Sequence, residues 1–295
     1  MSSESEIEQN HRPQWRHMDS ATLEQEYSPS SAIGGNYQPY IAEYARQSQL
    51  AISRCERVET IAYGDLPTNK IDIALSLSGT TKACPLLMFI HGGYWQEGAR
   101  QDSMFGADTF TARGIAYAAV GYSLAPNVRL SQIVAECRAA LAYINKHASS
   151  LGIDPGRIVL AGSSAGAQLC SMCCIDGSVS PSVAGAVLLS GVYELEPLIQ
   201  TSINDAVGLT AEAAKSNSPL LLMPHSFPDT IITWGEIEPQ EFKRQGRAFA
   251  NHLCDDQREV QVFESALRNH FNLVHDLSNP DTLLGSATFQ MIDSL

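Results

Sequence analysis

Gly162-Ser163-Ser164-Ala165-Gly166 fits the pattern Gly-x-Ser-x-Gly. It follows the β-rich run Arg157-Ile158-Val159-Leu160-Ala161 and opens an Ala-, Leu-, Cys- and Met-rich segment from Ala165 to Ile175. A sharp strand-to-helix turn tolerates only small residues two before and two after its apex, because larger side chains would strike neighbouring backbone. Gly162 and Gly166 meet that need and leave the hydroxyl of Ser164 exposed as a candidate nucleophile. Ser163 lacks glycines at those offsets and is the weaker candidate. A second cluster, His91-Gly92-Gly93-Tyr94-Trp95, directly follows the apolar run Leu86–Ile90. Attack of a serine on an acyl group builds negative charge on the carbonyl oxygen, and preorganised backbone N–H groups stabilise that charge. Glycines let the backbone approach closely. The N–H groups of Gly92 and Gly93, with that of Ala165 after the nucleophile, are therefore the expected oxyanion hole. His91 is read as shaping this loop.

A nucleophilic serine needs a base, and the base needs an orienting acid. After an elbow of this kind they follow in the order acid, then histidine. Of the eight histidines, His11 and His17 fall near the start, His147 near the end of a surface helix, His225 in a strandless stretch and His252 on a helix after Pro239. His270 and His275 remain, both beyond the last strand. His270, in Arg268-Asn269-His270-Phe271, comes first in the loop that leaves the strand and is preferred as the base. The acid is expected after the penultimate strand, Thr230–Trp234, where Glu236 and Glu238 both stand. Glu238 occupies the turn Gly235-x-x-Glu238-Pro239 and is preferred, with Glu236 as the strand-end alternative.

Tyr94 and Trp95 adjoin the expected oxyanion loop, so each is either core or pocket lining; with Tyr40 and Tyr193 they are the candidate substrate-binding residues. Cys170, Cys173 and Cys174 contain a Cys-x-x-Cys spacing, but on one helix and with no second ligand pair. They read as small packing residues, and neither a metal nor a cofactor is expected.

Positioning these groups takes a sheet. β-rich runs occur at Glu59–Tyr63, Ile71–Leu77, Leu86–Ile90, Ile115–Tyr122, Ile158–Ala161, Ala186–Ser190, Thr230–Trp234 and Val260–Phe263. Between several lie helical patterns, clearest in Leu130, Ile133, Val134, Cys137, Leu141 and Ile144 on one face. Asp154-Pro155-Gly156 is a turn. Strands alternating with helices imply crossover units and a mostly parallel sheet flanked by helices, the α/β class. Residues 192–228 lack a strand signal and carry several prolines, which suggests a helical insertion over the sheet's carboxyl edge. Residues 1–18 read as a loose arm, and apolar residues between Asp19 and Ser53 can pack on the body. The 295 residues are read as a single domain.

The chain carries 19 Lys and Arg against 32 Asp and Glu, a formal net charge of −13. That argues against nucleic acid or an anionic membrane as partner, since both attract basic surfaces. No apolar run approaches the roughly 20 residues that span a bilayer, and the polar N-terminus is no secretory signal. Seven scattered cysteines do not make a disulfide framework, so a cytoplasmic protein with free thiols is expected.

HGGYWQ, GSSAG and the late Asn-His-Phe together resemble the α/β-hydrolases, and among them the kynurenine formamidase (arylformamidase) group, kin to the hormone-sensitive-lipase type of esterase. Ser190-Gly191-Val192-Tyr193-Glu194-Leu195-Glu196-Pro197-Leu198 is similar to a segment of that family, as are Asn217-Ser218-Pro219 and Glu241-Phe242. The resemblance implies Ser164, His270 and Glu238 as the triad and Gly92, Gly93 and Ala165 as oxyanion donors. The family usually has Asp where Glu238 stands, and related esterases carry Asp where this chain has Gly121 before Tyr122. The expected activity is cofactor-independent hydrolysis of a small amide or ester with an aromatic leaving group, first of all a formamide. A carboxylesterase or amidase for another acyl group is the alternative within the class, and an inactive α/β-hydrolase scaffold used for binding is the alternative outside it. A homo-oligomer stays open.

Overall fold

The computed structural model describes residues 14–75, 83–175, 183–222, 227–254 and 259–295. In chain order, α1 (Ser20–Glu26) and α2 (Gln38–Arg54) precede an antiparallel pair, β1 (Val58–Ala62) and β2 (Lys70–Ala74). Next come β3 (Cys84–Ile90), α3 (Ala107–Ala112), β4 (Ala116–Val120), α4 (Leu130–Leu151), β5 (Ile153–Ser163) and α5 (Ala165–Ile175). The chain continues through β6 (Val183–Leu189), short helices α6 (Asn204–Val207) and α7 (Ala211–Ser216), β7 (Asp229–Ile237), α8 (Gln240–Leu253), β8 (Val260–Asn269) and α9 (Leu283–Asp293). The strand order is β1-β2-β4-β3-β5-β6-β7-β8, parallel from β4 to β8.

Side chains on a strand alternate between its two faces, and the core divides accordingly. Leu86, Met88 and Ile90 of β3 join one buried cluster with Ile133, Cys137, Leu141 and Cys170 from α4 and α5. Leu87 and Phe89 join the other, with Ala51 of α2, Phe110 of α3 and Phe289 of α9. Helix α4 buries Leu130, Ile133, Val134, Cys137, Leu141 and Ile144, as their spacing requires. It stops at Gly152, whose φ of 73° allows the left-handed cap.

Three sequence expectations change. The arm expected at 1–18 lies outside the described residues up to position 13, and its end is docked: Trp15 is buried and Arg16 pairs with Glu196 at 2.9 Å. Strand β8 runs to Asn269, not Phe263, because an edge strand stays half exposed and carries polar residues such as Glu264 and Arg268. The strand expected at Ile71–Leu77 is described to Leu75, and β2 itself stops at Ala74. The 192–228 stretch forms α6, α7 and short 3-10 turns; positions 223–226, with His225, lie outside the described residues. Among the described residues no helix is long and apolar enough to cross a membrane.

Candidate active site

From β3 the chain passes to β4 on one side, while β5 lies on the other. This is a topological switch point, where the carboxyl ends of parallel strands open a crevice. Ser164 sits there between β5 and α5. Its φ of 57° is unusual for a residue with a Cβ. Its N–H donates to the Leu189 carbonyl at 2.8 Å, and its own carbonyl accepts from Ala167 N at 3.0 Å, so the turn is held on both sides. A methyl at Gly166 would sit 2.0 Å from the Ile90 carbonyl oxygen, and one at Gly162 would sit 2.5 Å from the Gly166 backbone. Only glycine lets this turn close.

The His91–Trp95 loop packs against that turn. A Cβ on Gly92 would lie 2.7 Å from the Ser163 carbonyl and 3.0 Å from the Ser164 Cβ, and Gly93 has φ of 100°. Ala165 opens α5, so its N–H has no acceptor within the helix. His91 is buried, stacks on Tyr122 at 4.2 Å, and its Nδ1 lies 2.8 Å from the Gly92 carbonyl. Burial pushes its pKa down to about 4, so it is neutral near pH 7. Gly121, the position of a family departure, has no room for an acid: a Cβ there would meet the Thr68 carbonyl at 2.8 Å.

His270 leaves the end of β8, and its Nδ1 lies 2.9 Å from Glu238 Oε2. The Glu238 side chain is fully buried, and its Oε1 accepts from the Ser190 hydroxyl and the Gly235 N–H, both at 2.6 Å. Three hydrogen bonds hold this carboxylate, and one of its anchors, Ser190, was not singled out from the sequence; its place at the end of β6 in the family segment was the available signal. Glu236 is elsewhere. It belongs to β7 and accepts from Leu267 N at 2.8 Å on the exposed edge. His275 packs edge-on against Tyr44 and Phe105 at 5.4 and 5.7 Å.

Ser164 and His270 line one cavity of about 270 Å³, near the lower end of small-molecule pockets, roughly 300–1,000 Å³. Gly92, Gly93, Tyr94 and Phe271 line it too, and the N-terminal segment supplies Tyr27, Tyr37, Ile41 and Tyr44. Of the four expected substrate-binding residues, only Tyr94 faces this space. Trp95 is fully buried and donates from Nε1 to Gln168 Oε1 at 3.0 Å; it belongs to the core. Tyr193 is also fully buried, stacked on Phe249 at 4.3 Å. Tyr40 stacks behind Phe271 at 5.6 Å and its hydroxyl accepts from Asn269 Nδ2 at 2.9 Å, so it supports the wall without lining it. Behind the cavity, Tyr27 donates to Glu241 Oε2 at 2.8 Å, and Arg244 pairs with Glu241 at 2.8 Å and Glu194 at 3.0 Å. This buried network ties α1 to α8, which begins two residues after Glu238. Among the described residues no group of three or more His, Cys, Asp and Glu side chains is placed to hold a metal ion.

The chain is 27% identical to the kynurenine formamidase of Danio rerio over 94% of its own length and 98% of that protein. It is 31% identical to the kynurenine formamidase of Drosophila melanogaster over 76% of its length and 78% of that protein. The chain belongs to the kynurenine formamidase family. A family model described as BD-FAE matches residues 71–184. The structure of a proposed thioesterase from Silicibacter sp. TM1040 superposes with a TM-score of 0.79 at 26% identity, covering 90% of this chain and 98% of that one. This kynurenine formamidase family member is a hydrolase with the α/β-hydrolase fold, which solved esterases share.

Proposed function

We propose that this family member hydrolyses a small aryl formamide through a formyl-serine intermediate. Ser164 Oγ attacks the formyl carbon while its proton passes to Nε2 of His270. The oxyanion is received by the N–H groups of Gly92, Gly93 and Ala165. Glu238 holds the Nδ1 proton of His270 and balances the imidazolium charge. The imidazolium then protonates the departing arylamine as the C–N bond breaks. Water, deprotonated by His270, attacks the formyl-serine and releases formate, returning the proton to Ser164.

The observation that carries this reading is the hydrogen-bonded pair His270–Glu238 opening onto the same aromatic-lined cavity as the strained Ser164 turn. Relatives named kynurenine formamidase support a formamide over other acyl groups. Ser164→Ala is expected to lower kcat by about 10⁴-fold or more and to abolish labelling by a fluorophosphonate probe. Retained turnover in that variant would overturn the assignment, and an unlabelled wild type would point to a binding scaffold. Rates for N-formylkynurenine against p-nitrophenyl acetate and butyrate decide the acyl group: preference for the butyrate favours the carboxylesterase reading.

A further inference from the structure

We infer that Gln168 is a positioning residue for the oxyanion hole: its buried amide, bonded to Trp95, holds the His91–Trp95 loop against the serine turn. The inference rests on the reading of Gly92, Gly93 and Ala165 as oxyanion donors and names what keeps them in register.

The loop carries three successive residues in the left-handed region, Gly93 at φ of 100°, Tyr94 at 46° and Trp95 at 61°. Glycine adopts that region freely, but aromatic residues hold it only where their surroundings impose it. Here both rings are anchored. Tyr94 donates from its hydroxyl to the Tyr27 carbonyl at 2.6 Å. On the core side Trp95 Nε1 donates to Gln168 Oε1 at 3.0 Å, and the Trp95 carbonyl accepts from Ala125 N at 2.8 Å. Each ring is tied on its own side of the chain, which keeps the loop from unwinding to ordinary φ.

Gln168 is wholly buried, four residues after Ser164, on a helix whose residues Ala165–Cys174 are all buried. Met or Leu would fill such a site without desolvating an amide, and a buried amide needs partners for both its ends. Gln168 has them: Oε1 accepts from Trp95, and Nε2 donates to the Asn217 carbonyl at 2.9 Å. Its own N–H reaches back to the Ser164 carbonyl at 3.3 Å. One residue therefore joins the serine turn, the loop with Gly92 and Gly93, and the 192–228 stretch. The oxyanion donors come from two elements, α5 and the loop, so their geometry depends on that join. A donor is effective within about 2.7–3.1 Å of the developing oxyanion, and a small slip of the loop takes Gly92 and Gly93 off that distance together.

The test uses Gln168→Met, which keeps a similar volume and removes both side-chain hydrogen bonds, and Trp95→Phe, which removes the Nε1 donor and keeps a ring. Turnover of formanilide and of p-nitrophenyl acetate is measured per serine labelled to completion by a fluorophosphonate probe, so a partly folded sample is read on its folded fraction. Gln168→Met is expected to lower kcat by about 30-fold, short of the roughly 10²–10³-fold cost of deleting a donor outright, with KM within about twofold. Trp95→Phe should lower kcat by about tenfold, and the double variant should be no slower than Gln168→Met alone, because both changes break the same bond. Binding of phenylboronic acid, whose serine adduct is tetrahedral like the intermediate, should weaken in step with kcat/KM. A residue that only fills the core would lower the melting temperature and leave kcat per labelled serine and boronate binding unchanged. That result, or losses that multiply in the double variant, overturns the proposal while the hydrolytic reading stands. Should Gln168→Met not fold, Trp95→Phe alone decides by the same measurements. A wild type that is unlabelled and turns over neither substrate removes the hydrolytic reading and this inference with it.

Discussion

Two parts of the cavity are made in different ways. Its floor is backbone packed on backbone: Gly92 against Ser163, Gly166 against Ile90, and Ser164 forced to φ of 57° between them. Its roof is side chains, with Tyr37, Ile41 and Tyr44 from α2 and the turn before it meeting Phe271 from the far end of the chain. The floor leaves almost no choice of residue, whereas the roof needs only rings of suitable size. In the proposed reaction, chemistry depends on the first and selectivity on the second.

That division can be broken by mutation. Beyond Ser164 itself, the largest expected effect is on the buried acid behind His270. Glu238→Ala should lower kcat by about 10³–10⁴-fold, since it frees His270 from its tautomer and orientation, whereas Glu236→Ala should stay within about threefold. Kinetics on both variants check this, and a larger loss at Glu236 would reverse the roles.

A second effect concerns stability. His91 binds its proton with a pKa of about 4 in the folded state against 6.5 when unfolded. The unfolded chain therefore takes up more protons between those values, and stability rises with pH through that window. The contribution, on the order of 3 kcal/mol, is complete above about pH 6.5 and is lost as pH falls towards 4. Urea unfolding at pH 4.5 and 7 should show a smaller pH difference in His91→Asn than in the wild type. An equal difference would show that His91 is not the group responsible.

The smallest effect belongs to the roof. Phe271→Ala removes one stacked ring and should cost about tenfold in kcat/KM, carried by KM. If kcat fell instead, the roof would be part of the chemistry and the division would fail.

The same division explains what was legible in the sequence. Glycine spacing around Ser164 and after His91 reports backbone crowding, which is local, so the floor could be read residue by residue. The mostly parallel sheet followed from the alternation of strands with helices, whereas the strand order, with β4 between β2 and β3, was not read from it. Trp95 was misjudged because adjacency to the loop does not give direction: both Tyr94 and Trp95 have positive φ, 46° and 61°, and the chain turns one ring to the cavity and the other into the core. Tyr193 sits in a segment whose rings pack inward on Phe249. Tyr37, Ile41 and Tyr44 belong to the apolar residues expected only to pack on the body, and neither their place in the cavity nor their partner Phe271 was read from the sequence. Contacts between residues so far apart leave no mark in a local pattern.

The buried Tyr27–Glu241–Arg244 network has a consequence in time. Tyr27 is made 214 residues before Glu241. At synthesis rates of roughly 5–20 residues per second, that is about 10–40 s of waiting. The serine turn is translated in between, so a nascent chain carries Ser164 before the network that ties α1 to α8 can form. Closure of the cavity therefore waits on biosynthesis, completed only when α1 is joined by an α8 made more than 200 residues after it.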